Sequence, residues 1–216
     1  MHEYYWAMAL LGVFGIALLI WLVGGTWMLL HAARHPRGGA AARALASSQP
    51  IDLEAAGLTG TSWIMRTRDG LDLPVMDIQG SGKGPVVVLI HGWAEAPLTM
   101  LPRASELAQS STRILIPTLR GHDGADGACS LGPMEVSDLE VLLHTLDASA
   151  IVIEATGFGA LIAAGCKDES RVESMRLADP WDGRGHGLRR ILNAQGIPAW
   201  PIASLASLLW PDRYRA

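Results

Sequence analysis

No formal charge interrupts the 27 residues from Tyr4 to Leu30, YYWAMALLGVFGIALLIWLVGGTWMLL. As a helix rising about 1.5 Å per residue this run is roughly 40 Å long, more than the ~30 Å hydrocarbon core of a bilayer. It predicts one membrane-spanning helix over 1–31, with some tilt. Tyr4, Tyr5 and Trp6 at one end and Trp27 at the other suit the two headgroup levels, where an aromatic ring satisfies both its apolar body and its polar edge. No Lys or Arg precedes the run, whereas Arg34, Arg37 and Arg43 come closely after it. The positive charge therefore predicts a single pass through the cytoplasmic membrane, N-terminus outside and the rest of the chain in the cytoplasm. A cleaved signal peptide is the competing reading, and Ala44-Leu45-Ala46 offers a small-residue cleavage pattern. Against it stand a start without positive charge, the length of the run and basic residues placed after rather than before it. Gly12, Gly15, Gly24 and Gly25 would let another helix approach, but no pair has GxxxG spacing.

His35 to Pro50, HPRGGAAARALASSQP, is rich in Gly, Ala, Ser and Pro and reads as a linker with room for one helical turn, within a connecting segment 32–58. Residues 59–216 have the size of one domain, with a C-terminal helical tail over 195–216. The net charge of −4 and the lack of a basic block exclude nucleic acid as a partner. Two cysteines, Cys129 and Cys166, make neither a disulfide framework nor a metal cluster, and no cofactor motif is present.

From residue 62 short apolar runs alternate with turn residues and helical stretches, the pattern of an α/β domain. Ser62 to Arg68 and Leu73 to Ile78 flank Asp69-Gly70 and read as an antiparallel hairpin. Pro85 to Ile90 is a continuous apolar run ending in His91-Gly92, as a strand buried on both faces should be. A helix is expected over Leu98 to Gln109, a strand over Arg113 to Pro117, and a helix over Met134 to Leu146. Then come a strand over Ala150 to Glu154, a small-residue helix from Phe158 to Cys166 and a last strand over Val172 to Ala178. Beyond that the regularity fails.

The succession of a hairpin with a DG turn, a strand ending in HGW, Arg120-Gly121-His122-Asp123-Gly124 after the next strand, and a strand running into a Gly-rich turn and helix resembles the α/β-hydrolase fold family over about residues 60–180. The resemblance implies an incomplete α/β-hydrolase-like sheet of about six strands with helices on both faces, preceded by a single transmembrane helix. In that family the elbow is G-x-S-x-G. Here Glu154-Ala155-Thr156-Gly157-Phe158-Gly159-Ala160 puts Ala155 and Gly159 at the flanks and Gly157 at the nucleophile position. A register on Thr156 would place Glu154 and Phe158 at the flanks, where the tight crossing needs small residues. The resemblance also implies oxyanion-hole-like backbone N–H groups at Trp93 and Phe158. It implies an acid and then a histidine after later strands, for which Asp179 and His186 in Trp181-Asp182-Gly183-Arg184-Gly185-His186-Gly187 are the weak candidates. Their seven-residue spacing in a Gly-rich loop does not match a histidine delivered by a final strand. The 36 residues after Pro180 leave too little chain for two further strand-helix units of roughly 30 residues each.

Other features carry no chemistry. Gly80-Ser81-Gly82-Lys83-Gly84 lacks the first Gly and the Ser/Thr of a phosphate loop and precedes a strand. His122 beside Asp123 lies in the loop that organises the site entrance in the resembled family. His31 and His35 at i and i+4 lack a third ligand. The expectation is a membrane-anchored, non-catalytic accessory or scaffold subunit of a membrane protein complex, with no cofactor and no metal. Its partners would be the lipid bilayer and a protein bound through the transmembrane helix, the Val172–Ala178 edge or the tail. In the tail, Ile202, Leu205, Leu208 and Leu209 form an apolar face between Pro201 and Pro211, with Arg213 and Arg215 beyond. The alternative is a membrane-bound esterase- or lipase-like hydrolase with an unrecognised nucleophile or a site completed by another chain.

Overall fold

The computed structural model describes residues 2–166 and 169–210. The apolar run forms one helix, α1 (His2–Arg34), of which Tyr4–Arg34 is long and apolar enough to cross a membrane. Residues 4–21 are exposed, but Thr26, Leu29 and Ala33 are buried against the rest of the chain. Two of the carbonyls left unpaired at the end of a helix find donors there: Ala33 O accepts from Trp93 Nε1–H at 3.3 Å and Arg34 O from Cys129 N–H at 2.8 Å. The helix therefore continues past the expected boundary at residue 31, and its last turns pack into the domain. The segment 32–58 holds more than one helical turn: α2 (Ala40–Ala46) buries Ala44, and Arg43 Nη2 donates to Ala94 O at 2.8 Å.

β1 (Gly60–Arg66) and β2 (Asp72–Gln79) pair antiparallel around Asp69-Gly70. Gly70 sits at φ +88°, a region costly for any residue with a Cβ, and Thr67 closes the turn by accepting Leu71 N–H on Oγ1 at 2.8 Å. β3 (Val86–Ile90), β4 (Arg113–Pro117), β5 (Ile151–Thr156) and β6 (Val172–Ala178) complete a sheet in the order β1-β2-β4-β3-β5-β6, parallel from β4 to β6. Successive side chains of β3 alternate between two cores. Val87 and Leu89 meet a 3₁₀ turn (Pro97–Met100) and α3 (Leu101–Leu107) on one face. Val88 and Ile90 face α4 (Pro133–Thr145), α5 (Gly157–Gly165) and the end of α1 on the other. The helix expected to Gln109 ends at Leu107, after a 3₁₀ start at Pro97.

Arg120 fastens three elements. Its buried guanidinium binds Asp138 of α4 through Nε at 2.7 Å and Nη2 at 2.6 Å, and Asp69 of the hairpin turn through Nη1 at 2.9 Å and Nη2 at 3.1 Å. A charge this deeply desolvated is tolerated because both carboxylates meet it in two-point geometry.

Two expectations for the C-terminal part are corrected. The Gly-rich stretch around His186 is not a loop: it begins α6 (Gly183–Asn193), whose Leu188, Ile191 and Leu192 are buried. Gly187 is required there, because a Cβ would stand 2.4 Å from the Trp181 ring. The tail helix exists as α7 (Ile202–Leu208), but it buries Ile202, Ala203 and Ala206, while Leu208 and Leu209 point outward at 69% and 61% exposure. α7 packs mainly on α1 and α6 and does not cover β6. Among the described residues no strand pairs with the outer edge of β6, which exposes Glu173, Ser174 and Arg176. Arg213 and Arg215 lie outside the described residues.

Candidate functional site

β3 and β5 are neighbours in the centre of the sheet, so the turns at their C-terminal ends converge. β5 hands over to α5 at Gly157, whose φ of +54° makes the sharp strand-to-helix reversal. Gly159 makes the crossing possible: a Cβ there would stand 2.6 Å from both Ile90 O and His91 O. At Gly157 the nearest atom to a Cβ would be Trp181 Nε1, at 3.7 Å. The elbow conformation and the space for a side chain are both present, but no side chain projects into it.

Gly157, Phe158 and Trp93 line one cleft of about 360 Å³. The two backbone positions expected to act as oxyanion-type donors thus face the same space as the elbow. Trp181 pins its own loop there by donating its backbone N–H to Gly157 O at 3.2 Å, and its ring packs on Phe158 at 5.4 Å between centroids.

The two candidate triad partners are each engaged by other groups. Asp179 does line the cleft, at φ +48° after β6, but both its oxygens bind Arg190, through Nη1 at 2.9 Å and through Nη2. The hydrogen-bonded Arg190 guanidinium keeps this exposed carboxyl below the usual carboxylate range. His186 turns back on the start of α6, where its Nδ1 accepts Asp182 N–H at 2.8 Å, and it is not among the residues that line the cleft. With no oxygen at 157, an acid tied to Arg190 and an imidazole spent on a backbone N–H, these three positions do not form a nucleophile–base–acid chain.

The cleft also holds a carboxylate that sequence reasoning missed. Glu95 accepts Gly92 N–H on Oε2 at 2.7 Å, while Glu95 N–H donates to Gly92 O at 3.3 Å. Its half-buried carboxylate lines the same cleft as Trp93 and Phe158, where it opposes an oxyanion. The signal was local, an acid three residues after HG, but it had no counterpart in the family pattern. Arg190, twelve residues beyond the strand end, was invisible without α6.

Beneath the cleft lie His91 and His122, both fully buried, with rings 5.4 Å apart. His91 donates Nδ1–H to Gly92 O at 2.9 Å and accepts Leu119 N–H on Nε2 at 3.4 Å, so its partners assign a neutral ring. Burial, and then His122, push its pKa down to about 3. His122 donates Nδ1–H to Arg120 O at 3.0 Å, stacks on Phe158, and is pushed down by burial to about 4. Both support the floor of the cleft as neutral rings rather than serving as bases within it.

Comparisons with known proteins agree with this architecture. The profile of the family described as the alpha/beta hydrolase family matches residues 87–216. No curated protein matches the chain. Among solved structures an esterase of Pyrococcus furiosus superposes with a TM-score of 0.59 at 18% identity, covering 76% of this chain and 69% of the esterase. An alpha/beta hydrolase of Novosphingobium aromaticivorans gives a TM-score of 0.48 at 23% identity, covering 55% of this chain. The chain spans 43% of the length of that protein.

Proposed function

The chain belongs to the alpha/beta hydrolase family, and from that premise we propose a member that binds without hydrolysing: an accessory or scaffold subunit held at the cytoplasmic membrane by α1, its domain on the cytoplasmic side. The observation that carries this reading is Gly157, a glycine in elbow conformation at the position where the reaction needs an attacking oxygen. Glu95 supports it, because a carboxylate lining the same cleft destabilises the negative charge that acyl transfer develops. α1 supports the membrane placement through its length, its exposed apolar residues 4–21 and the arginines just after it. Its partner surfaces in a membrane complex would be α1, the open edge of β6 and α7.

Labelling of the full chain with a serine-reactive fluorophosphonate tests the loss of chemistry. No labelling above a heat-denatured control is expected. Stoichiometric labelling that disappears on mutating one hydroxyl residue would establish the other reading, a membrane-bound hydrolase with another nucleophile. That reading draws on one observation, the surviving open cleft with Trp93 and Phe158 on its wall.

A further inference from the structure

The cleft at the ends of β3 and β5 has no attacking oxygen at Gly157, yet it keeps two polar groups with unmet demands. The first is Glu95. Its Oε2 accepts Gly92 N–H at 2.7 Å, which fixes the carboxylate, while its Oε1 has no donor among the described residues. The other charged groups on the described lining, Asp179 and Arg190, bind each other, so the charge of Glu95 stands uncompensated there. A half-buried carboxylate with a free oxygen calls for a cationic donor.

The second is Trp181. This residue is only 8% exposed, and its indole N–H has no acceptor among the described residues. Its Nε1 lies 3.7 Å from where a Cβ on Gly157 would stand, so it borders the space that the missing side chain leaves. The first turn of α5 begins at the same place, with N–H groups that have no partner inside the helix. A buried indole N–H beside such a turn calls for an acceptor oxygen. Glu95 disfavours an anion in this cleft, so the acceptor that fits is a neutral carbonyl. The Trp93 and Trp181 rings, 6.4 Å apart between centroids, add aromatic surface to the lining, and the Trp93 N–H is already used by Ala33 O. Aromatic surface near a carboxylate favours an organic ammonium over a hydrated metal ion.

We propose that the cleft binds a small organic ammonium ion carrying a carbonyl, the chemistry shared by a free amino-acid amide and the amino terminus of a peptide. The ammonium pairs with Glu95 Oε1, and the carbonyl oxygen accepts from Trp181 Nε1–H. This rests on the reading of the cleft as one that binds without hydrolysing.

The test is calorimetric titration of the full chain in detergent micelles with leucinamide at about pH 6.5, where an α-amino group is protonated. N-acetyl-leucinamide, which keeps the carbonyl and loses the charge, should bind about five-fold more weakly or worse. Isoamylamine, which keeps the charge and loses the carbonyl, should bind about three-fold more weakly. Glu95→Gln keeps an acceptor for Gly92 N–H and should erase the preference for leucinamide over its acetylated form. Trp181→Phe keeps a ring and removes the donor, and should erase the preference over isoamylamine. Should that variant fail to fold, the preference of the native chain over isoamylamine reads the same contact. Equal affinity for leucinamide and N-acetyl-leucinamide overturns the proposal, as does a preference unchanged in Glu95→Gln. Binding of leucyl-glycyl-glycinamide at least as tight as that of leucinamide identifies a peptide terminus as the source, and binding of leucinamide alone identifies a free amide. Amino-acid analysis of the same samples separates the two readings: release of leucine refutes the unreactive cleft, whereas no release and no discrimination among the three probes refutes the ammonium site alone.

Discussion

Gly157 keeps a left-handed backbone with 3.7 Å of clearance for a Cβ, so a serine can be installed with limited damage. Gly157→Ser should lower stability by about 1–2 kcal/mol, the cost of a side chain at positive φ, and should hydrolyse no ester, because no base lies beside it. Denaturant unfolding and a chromogenic ester assay check both halves, and measurable turnover would show a working base. Glu95 is the complementary residue. Glu95→Gln keeps an acceptor for Gly92 N–H and removes the charge. It should bind a short alkyl carboxylate about five-fold more tightly than the native chain, an increment of about 1 kcal/mol from one lost repulsion. Calorimetry showing equal affinity would mean that the charge does not govern the cleft. Glycine at 157 is legible directly, since the elbow pattern is contiguous. Glu95 and the Asp179–Arg190 pair are not, because their meaning depends on which turns converge.

At the scale of elements, the strands are legible because burial on both faces leaves continuous apolar runs such as Val86–Ile90. α6 is not. Gly183, Gly185 and Gly187 depress helix propensity over its first half, and its apolar residues Leu188, Ile191 and Leu192 mark only the second. Tertiary contact overrides propensity there, since the Trp181 ring fills the space over Gly187. The pattern reveals α7 but not its inward face: small Ala203 and Ala206 pack closely on neighbouring helices, whereas large Leu208 and Leu209 do not turn inward. The Arg120 cluster joins elements too far apart in sequence to be foreseen. Arg120→Ala leaves Asp138 buried without its counter-charge and should cost about 3–5 kcal/mol. Arg66→Ala, which breaks an exposed and solvent-screened pair with Asp72, should leave the unfolding midpoint nearly unchanged. Similar losses for the two would contradict the buried network.

For the whole molecule, the paired histidines make stability depend on acidity. His91 and His122 are held neutral in the fold, with pKa values near 3 and 4 against about 6.5 when unfolded. A depressed pKa means that the unfolded chain takes up protons first, so their contribution is complete above about pH 6.5 and is lost as pH falls toward the folded values. Between pH 7 and pH 5 each ring should cost about 2 kcal/mol, before most carboxylates titrate. Unfolding midpoints measured across that interval should fall steeply, and a flat profile would place one ring in contact with water.

The final turns of α1 are bonded into the domain through Ala33 O and Arg34 O. A helix crossing the bilayer would then act as a mast rather than a leash. From Trp27, at headgroup level in that reading, to Arg34 the rise is about 10 Å, which would set the standing height of the cleft above the lipid surface and deny it the freedom to swing. Whatever docks there would have to arrive at that altitude and in one orientation, a geometry suited to a neighbour anchored in the same bilayer.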